Sequence, residues 1–214
     1  MNVFILKLIA LVTMIIDHYG AIFQSNTEMY RIVGRIAFPI YAFLLVEGYL
    51  HTSNVKRYAG RLLLFAFISE VPFDLAFNGQ IEFMHQNIFF TLFIGLVTMY
   101  FIDKRGEYNI SKMFIIVISM IVATVFSVDY SFIGIVYILA FYFTGNMDKR
   151  ERLLKVALIM FLINLSLFGY IQQFSILALV FIYFYNGELG PRNKWIQSAF
   201  YIMYPLHLLL FYLI

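Results

Sequence analysis

Cysteine is absent from this 214-residue chain. That removes disulfides, thiolate metal sites, cysteine-linked lipid anchors and a cysteine acyl-enzyme. Charge is scarce: Asp, Glu, Lys and Arg make up 13% of the residues, where a soluble domain carries about a quarter. There are four prolines and no linker, low-complexity stretch or internal repeat, so a single domain over 1–214 is expected. The formal charge of +3 is too small to point to nucleic acid. Gly-x-Gly-x-x-Gly, Walker, His-Glu-x-x-His and nucleophile-elbow motifs are missing. What fills the chain is apolar: 63% hydrophobic residues with 25 Phe and 16 Tyr, at a mean hydropathy of +0.85. A soluble fold of this composition would have too little polar surface, so the lipid bilayer is its expected solvent, with aromatic side chains at the interfaces.

Apolar runs separated by short polar breaks predict an all-α, polytopic transmembrane bundle of about nine helices, with eight to ten allowed. The runs are Val3–Phe23, Ile32–Leu50, Leu62–Phe77, Ile88–Ile102, Met113–Val128, Phe132–Phe143, Leu153–Phe168, Ile171–Tyr185 and Trp195–Ile214. They do not alternate as barrel strands do. The first run lacks an Ala-x-Ala-like cleavage site and carries Asp17-His18 near its end, so it is expected to be retained. Lys7, Lys56, Arg57, Arg61, Lys104, Arg105, Lys112, Lys149, Arg150, Arg152, Lys155, Arg192 and Lys194 all fall on alternate connections or beside them. The connections around 78–86, 129–131 and 169–173 hold no Lys or Arg. The positive-inside rule then predicts a cytoplasmic N-terminus. Only Arg31 and Arg35 break the pattern.

An ionisable group within a span costs at least a few kcal/mol, which makes each one a functional candidate. On this topology Asp17, His18, Arg31, Arg35, Glu70, Asp74, His85, Gln86, Asn87 and His207 collect at one extracytoplasmic depth. Arg31 and Arg35 share a helix face, as do Glu70 and Asp74. The arginines are therefore the expected partners of these two acids, in an active cavity or in an ion pair that only fixes helix register. Pro72, between the acids, is expected to free backbone carbonyls. His18, desolvated and oriented by Asp17 or another carboxylate, is the candidate general base. His207 is a second base or a satisfied bundle histidine. Glu47 and His51 form a separate cytoplasmic-side pair, read as part of a ligand site or as an interfacial hydrogen bond. Lys56, Arg57 and Arg61 set topology and are also placed to hold the phosphates of an anionic cytosolic ligand.

At these residues the chain resembles the TraX family of bacterial membrane proteins. The matching blocks are Leu6–Leu11 through Ile16-Asp17-His18-Tyr19-Gly20, Arg31–Ile40, Phe43–Tyr49 with His51-Thr52, Arg61–Leu63 through Ser69–Asp74, Gln86–Leu92, and Tyr204-Pro205-Leu206-His207. The stretch from about 113 to 193 carries little of the likeness. The family's named member acetylates the N-terminal amine of a conjugative pilin in the inner membrane. The resemblance therefore implies a multi-pass acyltransferase of the bacterial cytoplasmic membrane with acetyl-CoA as co-substrate and no metal. Carried over residue by residue, it favours Asp17 and His18, supported by Arg35, Glu70 and Asp74.

The resulting expectation is acetyl transfer to an amine or hydroxyl at the outer half of the membrane: a protein N-terminus, a lipid or a small molecule. His18, Asp17 and His207 would be catalytic; Arg35, Glu70, Asp74, Gln86 and Asn87 would bind the acceptor. Lys56, Arg57, Arg61, Glu47 and His51 would bind the CoA. A channel between helices, lined by His18, is required to join the two. The alternative is a small proton-coupled transporter, since intramembrane Asp, Glu and His also mark conduction paths.

Overall fold

The computed structural model describes residues 1–167, 170–191 and 193–214, and each apolar run is helical there. In chain order the helices are α1 (Val3–Phe23), α2 (Glu28–Gly34), α3 (Ala37–His51), α4 (Val55–Asn78), α5 (Ile88–Tyr108), α6 (Lys112–Val125), α7 (Ser131–Phe143) and α8 (Lys149–Leu167). A 3-10 segment, Tyr170–Leu177, then leads into α9 (Ala178–Tyr183) and α10 (Lys194–Leu213). Asparagines open several of them: the side chains of Asn2, Asn54, Asn87 and Asn193 accept a backbone N–H from the first turns of α1, α4, α5 and α10. Phe168, Gly169 and Arg192, placed above in a run and in connections, lie outside the described residues.

Among the boundaries that differ from expectation, three have identifiable reasons. The second run divides into α2 and α3 at Arg35–Ile36. Pro39 accounts for this, because its ring opposes a helical carbonyl four residues back, at Arg35, and its missing N–H is tolerated only in a first turn. The cap at Asn54 starts α4 at Val55, so Lys56, Arg57 and Arg61 lie within its first turns and not in a loop. The eighth run begins as a 3-10 segment, held from α8 by Asn164, whose amide donates to the Gln172 carbonyl (3.0 Å) and the Ser175 hydroxyl (3.2 Å). Pro72 sits inside α4, which continues to Asn78.

Among the described residues, three segments are long and apolar enough to cross a membrane: Val3–Phe23, Glu28–His51 and Trp195–Leu213. Outward-facing Leu64, Phe67, Ile121, Leu158 and Leu165 are exposed, an apolar exterior that suits lipid. The chain thus has the character of a membrane protein. α3 and α7 form the interior, where Ile40, Val46, Ile133, Tyr137 and Phe141 are fully buried.

Successive runs reverse direction, with α2 followed by α3 and the 3-10 segment by α9 within one run each, so the bundle has two ends. At one, the Met1 ammonium donates to the Phe184 carbonyl and the Val3 N–H to the Glu188 carbonyl (2.8 Å). At the other, Gln86 and Val128 form an isolated parallel bridge that ties the α4–α5 connection to the α6–α7 connection. The described basic residues other than Arg31 and Arg35 lie toward the Met1 end.

Candidate functional site

Four elements bring the site together at the end opposite Met1. Asp17 and His18 are neighbours on α1, and neighbours on a helix point about 100° apart. Asp17 accordingly faces α2 and His18 faces α10. The Asp17 carboxylate receives Arg31 Nη1 on Oδ2 (2.8 Å) and Arg35 Nη2 on Oδ1 (2.6 Å). Gly34 makes this approach possible: a Cβ there would overlap the Asp17 side chain. Arg35 is held further by its Nε to the Arg31 carbonyl (3.1 Å) and its Nη1 to Gln172 Oε1 (3.2 Å).

On the other face, His18 Nδ1 lies 2.7 Å from His207 Nε2, both rings buried. His207 Nδ1 lies 2.8 Å from the Met203 carbonyl. A carbonyl only accepts, so His207 carries its hydrogen on Nδ1 and offers a lone pair at Nε2. His18 must then donate from Nδ1, which leaves its own Nε2 as the basic atom. One backbone carbonyl thereby sets both tautomers.

Two cavities flank this pair. The outer one, about 360 Å³, is lined by Asp17, His18, Arg31, Arg35, His85 and Asp129 among others. The larger, about 1140 Å³, runs from the Met1 end and is lined by Lys7, Glu47, His51, Arg61 and, at its far limit, Phe89 and Tyr204. The Tyr204 ring stands edge-on to both histidines, 5.9 Å from His18 and 5.7 Å from His207. The buried Tyr204 side chain thus lies between the larger cavity and the histidine pair.

A family model described as TraX protein matches residues 3–214. The chain belongs to the TraX family. It is 28% identical to the probable fimbrial assembly protein FimC, serogroup H1, of Dichelobacter nodosus, over 98% of this chain and 93% of that protein. It is also 28% identical to an uncharacterised protein of Rickettsia prowazekii, over 45% of this chain and 36% of that protein. No solved structure matches it significantly.

Within this TraX-family chain the expected site residues divide. His18, Asp17, His207 and Arg35 come together with Arg31, but their pairing differs from expectation. Asp17 does not orient His18, because both of its oxygens are taken by arginine; the partner of His18 is His207. The arginines do not neutralise Glu70 and Asp74. Glu70 binds the Asn87 amide group and backbone N–H, and Asp74 accepts the Glu82 N–H (3.1 Å). Neither acid lines either cavity among the described residues. Asn87 caps α5 and reaches the Ala66 carbonyl (2.8 Å), and Gln86 closes a loop through the Phe83 carbonyl (3.0 Å). At the other end, Arg61, Glu47 and His51 line the larger cavity, whereas Lys56 and Arg57 stand exposed outside it. Glu47 pairs with Arg152 (3.4 Å), and His51 bonds the Glu47 backbone carbonyl and not its carboxylate (2.8 Å). The single channel expected at His18 is two cavities with Tyr204 between.

Sequence reasoning assigned no role to Asp129, Tyr130, Gln172 or Tyr204. Gln172 and Asp129 are polar groups in connections without basic residues. That is a weak signal, since such positions usually face water.

Proposed function

We propose that this chain is a multi-pass protein of the bacterial cytoplasmic membrane, its N-terminus in the cytoplasm, that transfers an acetyl group from acetyl-CoA to an amine or hydroxyl presented near the outer face. The observation that carries this reading is the buried His18–His207 pair set between cavities from opposite ends. The larger cavity has the capacity of a cofactor site. The pantetheine arm enters it from the cytoplasmic end, with Lys7 and Arg61 placed for the phosphates. Displacement of the Tyr204 ring brings the thioester carbonyl to the histidines.

The acceptor occupies the outer cavity. His18 Nε2 takes a proton from the neutral amine or hydroxyl as its lone pair attacks the carbonyl carbon. The new C–N or C–O bond forms, the C–S bond breaks, and the proton passes from His18 to the departing thiolate. His207 steadies the imidazolium through the Met203 carbonyl. All three donor groups of Arg35 are engaged, so Arg31, 34% exposed on its side chain and lining the same cavity, is the better oxyanion partner. The name of the Dichelobacter relative supports an acceptor of the fimbrial-subunit type, whose N-terminal amine would be acetylated.

Incubation of the purified protein with isotope-labelled acetyl-CoA and amine-bearing peptides, read by mass spectrometry, tests this. Labelled peptide that disappears with His18→Ala is expected. Transfer unchanged in His18→Ala removes the catalytic assignment. Absence of acetyl-CoA binding with proton movement in vesicles would favour transport instead.

A further inference from the structure

Asp129 lines the outer cavity with His18, on a loop whose backbone is unusually constrained. Its N–H donates to the Gln86 carbonyl (2.8 Å), and its carbonyl accepts the Thr91 hydroxyl (2.5 Å). Ser127, Tyr130 and Ser131 around it have φ of 49°, 61° and 46°, left-handed values that non-glycine residues adopt at a cost and retain when the surrounding structure demands it. The turn at Tyr130 stacks its ring on Phe38 (4.1 Å) and under Arg35 (5.9 Å), which directs the preceding residue to the cavity.

The charges around the cavity explain what this position is for. Arg31 and Arg35 are both committed to Asp17. Asp129 Oδ1 accepts the Tyr130 N–H (3.0 Å), and its ionic neighbour is His85 Nε2 at 3.9 Å. Among the described residues no Lys or Arg nitrogen is paired with it, and its side chain remains 32% exposed, that of His85 50%. Arg35 acts on it from across the cavity without pairing with it, so it is the lining carboxylate left with capacity for a cation, at a site where the sequence reading had expected Glu70 and Asp74 to bind the acceptor. Phe73 and Phe77 line the same cavity, and the His85 ring packs on Phe73 at 5.7 Å.

We propose that Asp129 and His85 form the acceptor subsite, where they hold the ammonium form of the amine that the acyl-transfer reading gives as acceptor. This rests on the acyl-transfer reading above and narrows it. Asp129 holds the ammonium group; one of its protons passes to His85, and the neutral amine so formed attacks the thioester while His18 takes the second proton. Both protons leave in the end, one on the CoA thiol and one to water from His85.

The test uses the full chain purified in detergent, with a short peptide bearing a free N-terminus and the same peptide with a blocked one, measured by calorimetry. The wild type is expected to bind the free peptide at least about tenfold more tightly than the blocked one, the worth of a charge-assisted contact. Asp129→Asn abolishes that preference, Asp129→Glu restores part of it, and His18→Ala keeps it. In the transfer assay Asp129→Asn raises KM for the peptide with kcat nearly unchanged. The exposed His85→Gln variant, which leaves no buried group unpaired, weakens free-peptide binding several-fold. Equal binding of both peptides by the wild type, or a preference that survives in Asp129→Asn, overturns the subsite. Amine-selective binding without any transfer overturns the enzymatic reading and leaves the subsite standing; transfer with unchanged KM in Asp129→Asn does the reverse.

Discussion

At the end of the bundle that carries His18, polar side chains are tied to one another across helices. Asp17 reaches Arg31 and Arg35, His18 reaches His207, and Arg35 reaches Gln172. Behind Gln172, Asn164 holds the 3-10 segment and accepts the Tyr137 hydroxyl (2.7 Å). At the Met1 end, two ion pairs among the described residues lie within one helix, Lys104–Glu107 and Lys155–Glu151, and the groups are exposed. Such pairs contribute little to stability. Glu47–Arg152 and the Asp103 carboxylate, which accepts the Tyr49 and Tyr142 hydroxyls, are among the cross-helix exceptions there. On the proposed reading, charge at the Met1 end serves orientation and a soluble ligand. Charge at the other end has been desolvated to build one geometry, so its loss is costly.

Substitutions that attack one end and spare the other sharpen this contrast. The largest effect is expected for His18→Ala, which removes the base and should lower acetyl transfer by about 10²–10⁴-fold; because buried His207 Nε2 loses its donor, thermal stability should also fall, by about 1–3 kcal/mol. Asp17→Asn leaves two neighbouring arginines without their counter-charge and should cost about 3–5 kcal/mol, measured as loss of thermal stability in detergent. Gly34→Ala forces the added methyl against Asp17 and should cost about 1–3 kcal/mol, with α1 and α2 pushed apart. Tyr204→Ala tests the partition. Because the native chain has no cysteine, a single Ala21→Cys probe in the outer cavity should react with an impermeant thiol reagent from outside only, and from the cytoplasmic side as well once Tyr204 is truncated. At the small end of the scale, Lys56→Ala with Arg57→Ala should stay within about 0.5 kcal/mol; a shift as large as that of Asp17→Asn would erase the difference between the two ends.

Asp17, His18, Arg35 and His207 were legible in the sequence because each interrupts an apolar run, where its presence has to be explained, and Arg31 because it breaks the distribution of the basic residues. Their pairing was not. Asp17 and His18 are adjacent in sequence yet face different helices, and the match of charges by depth paired the arginines with Glu70 and Asp74 when a nearer carboxylate lay on α1. The break at Arg35 was within reach of a simple rule, since Pro39 stands four residues on. Asp129 was hidden for the opposite reason to Asp17: in a short polar connection a carboxylate looks solvated, and only the neighbouring loops turn it inward. Tyr204 was one of 16 tyrosines, with nothing in its run to distinguish a partition from packing.

Where the chain is helical, which residues prefer lipid, and toward which end the basic residues gather are properties of composition along a line. Local transfer free energies act on each segment whatever its neighbours do, so the sequence alone determined them. Which titratable groups meet, which tautomer each histidine adopts, and which carboxylate keeps room for a ligand were decided by tertiary structure. Those outcomes depend on the rotation and crossing of helices far apart in the chain, and a shift of a single residue about a helix axis turns a side chain by about 100°.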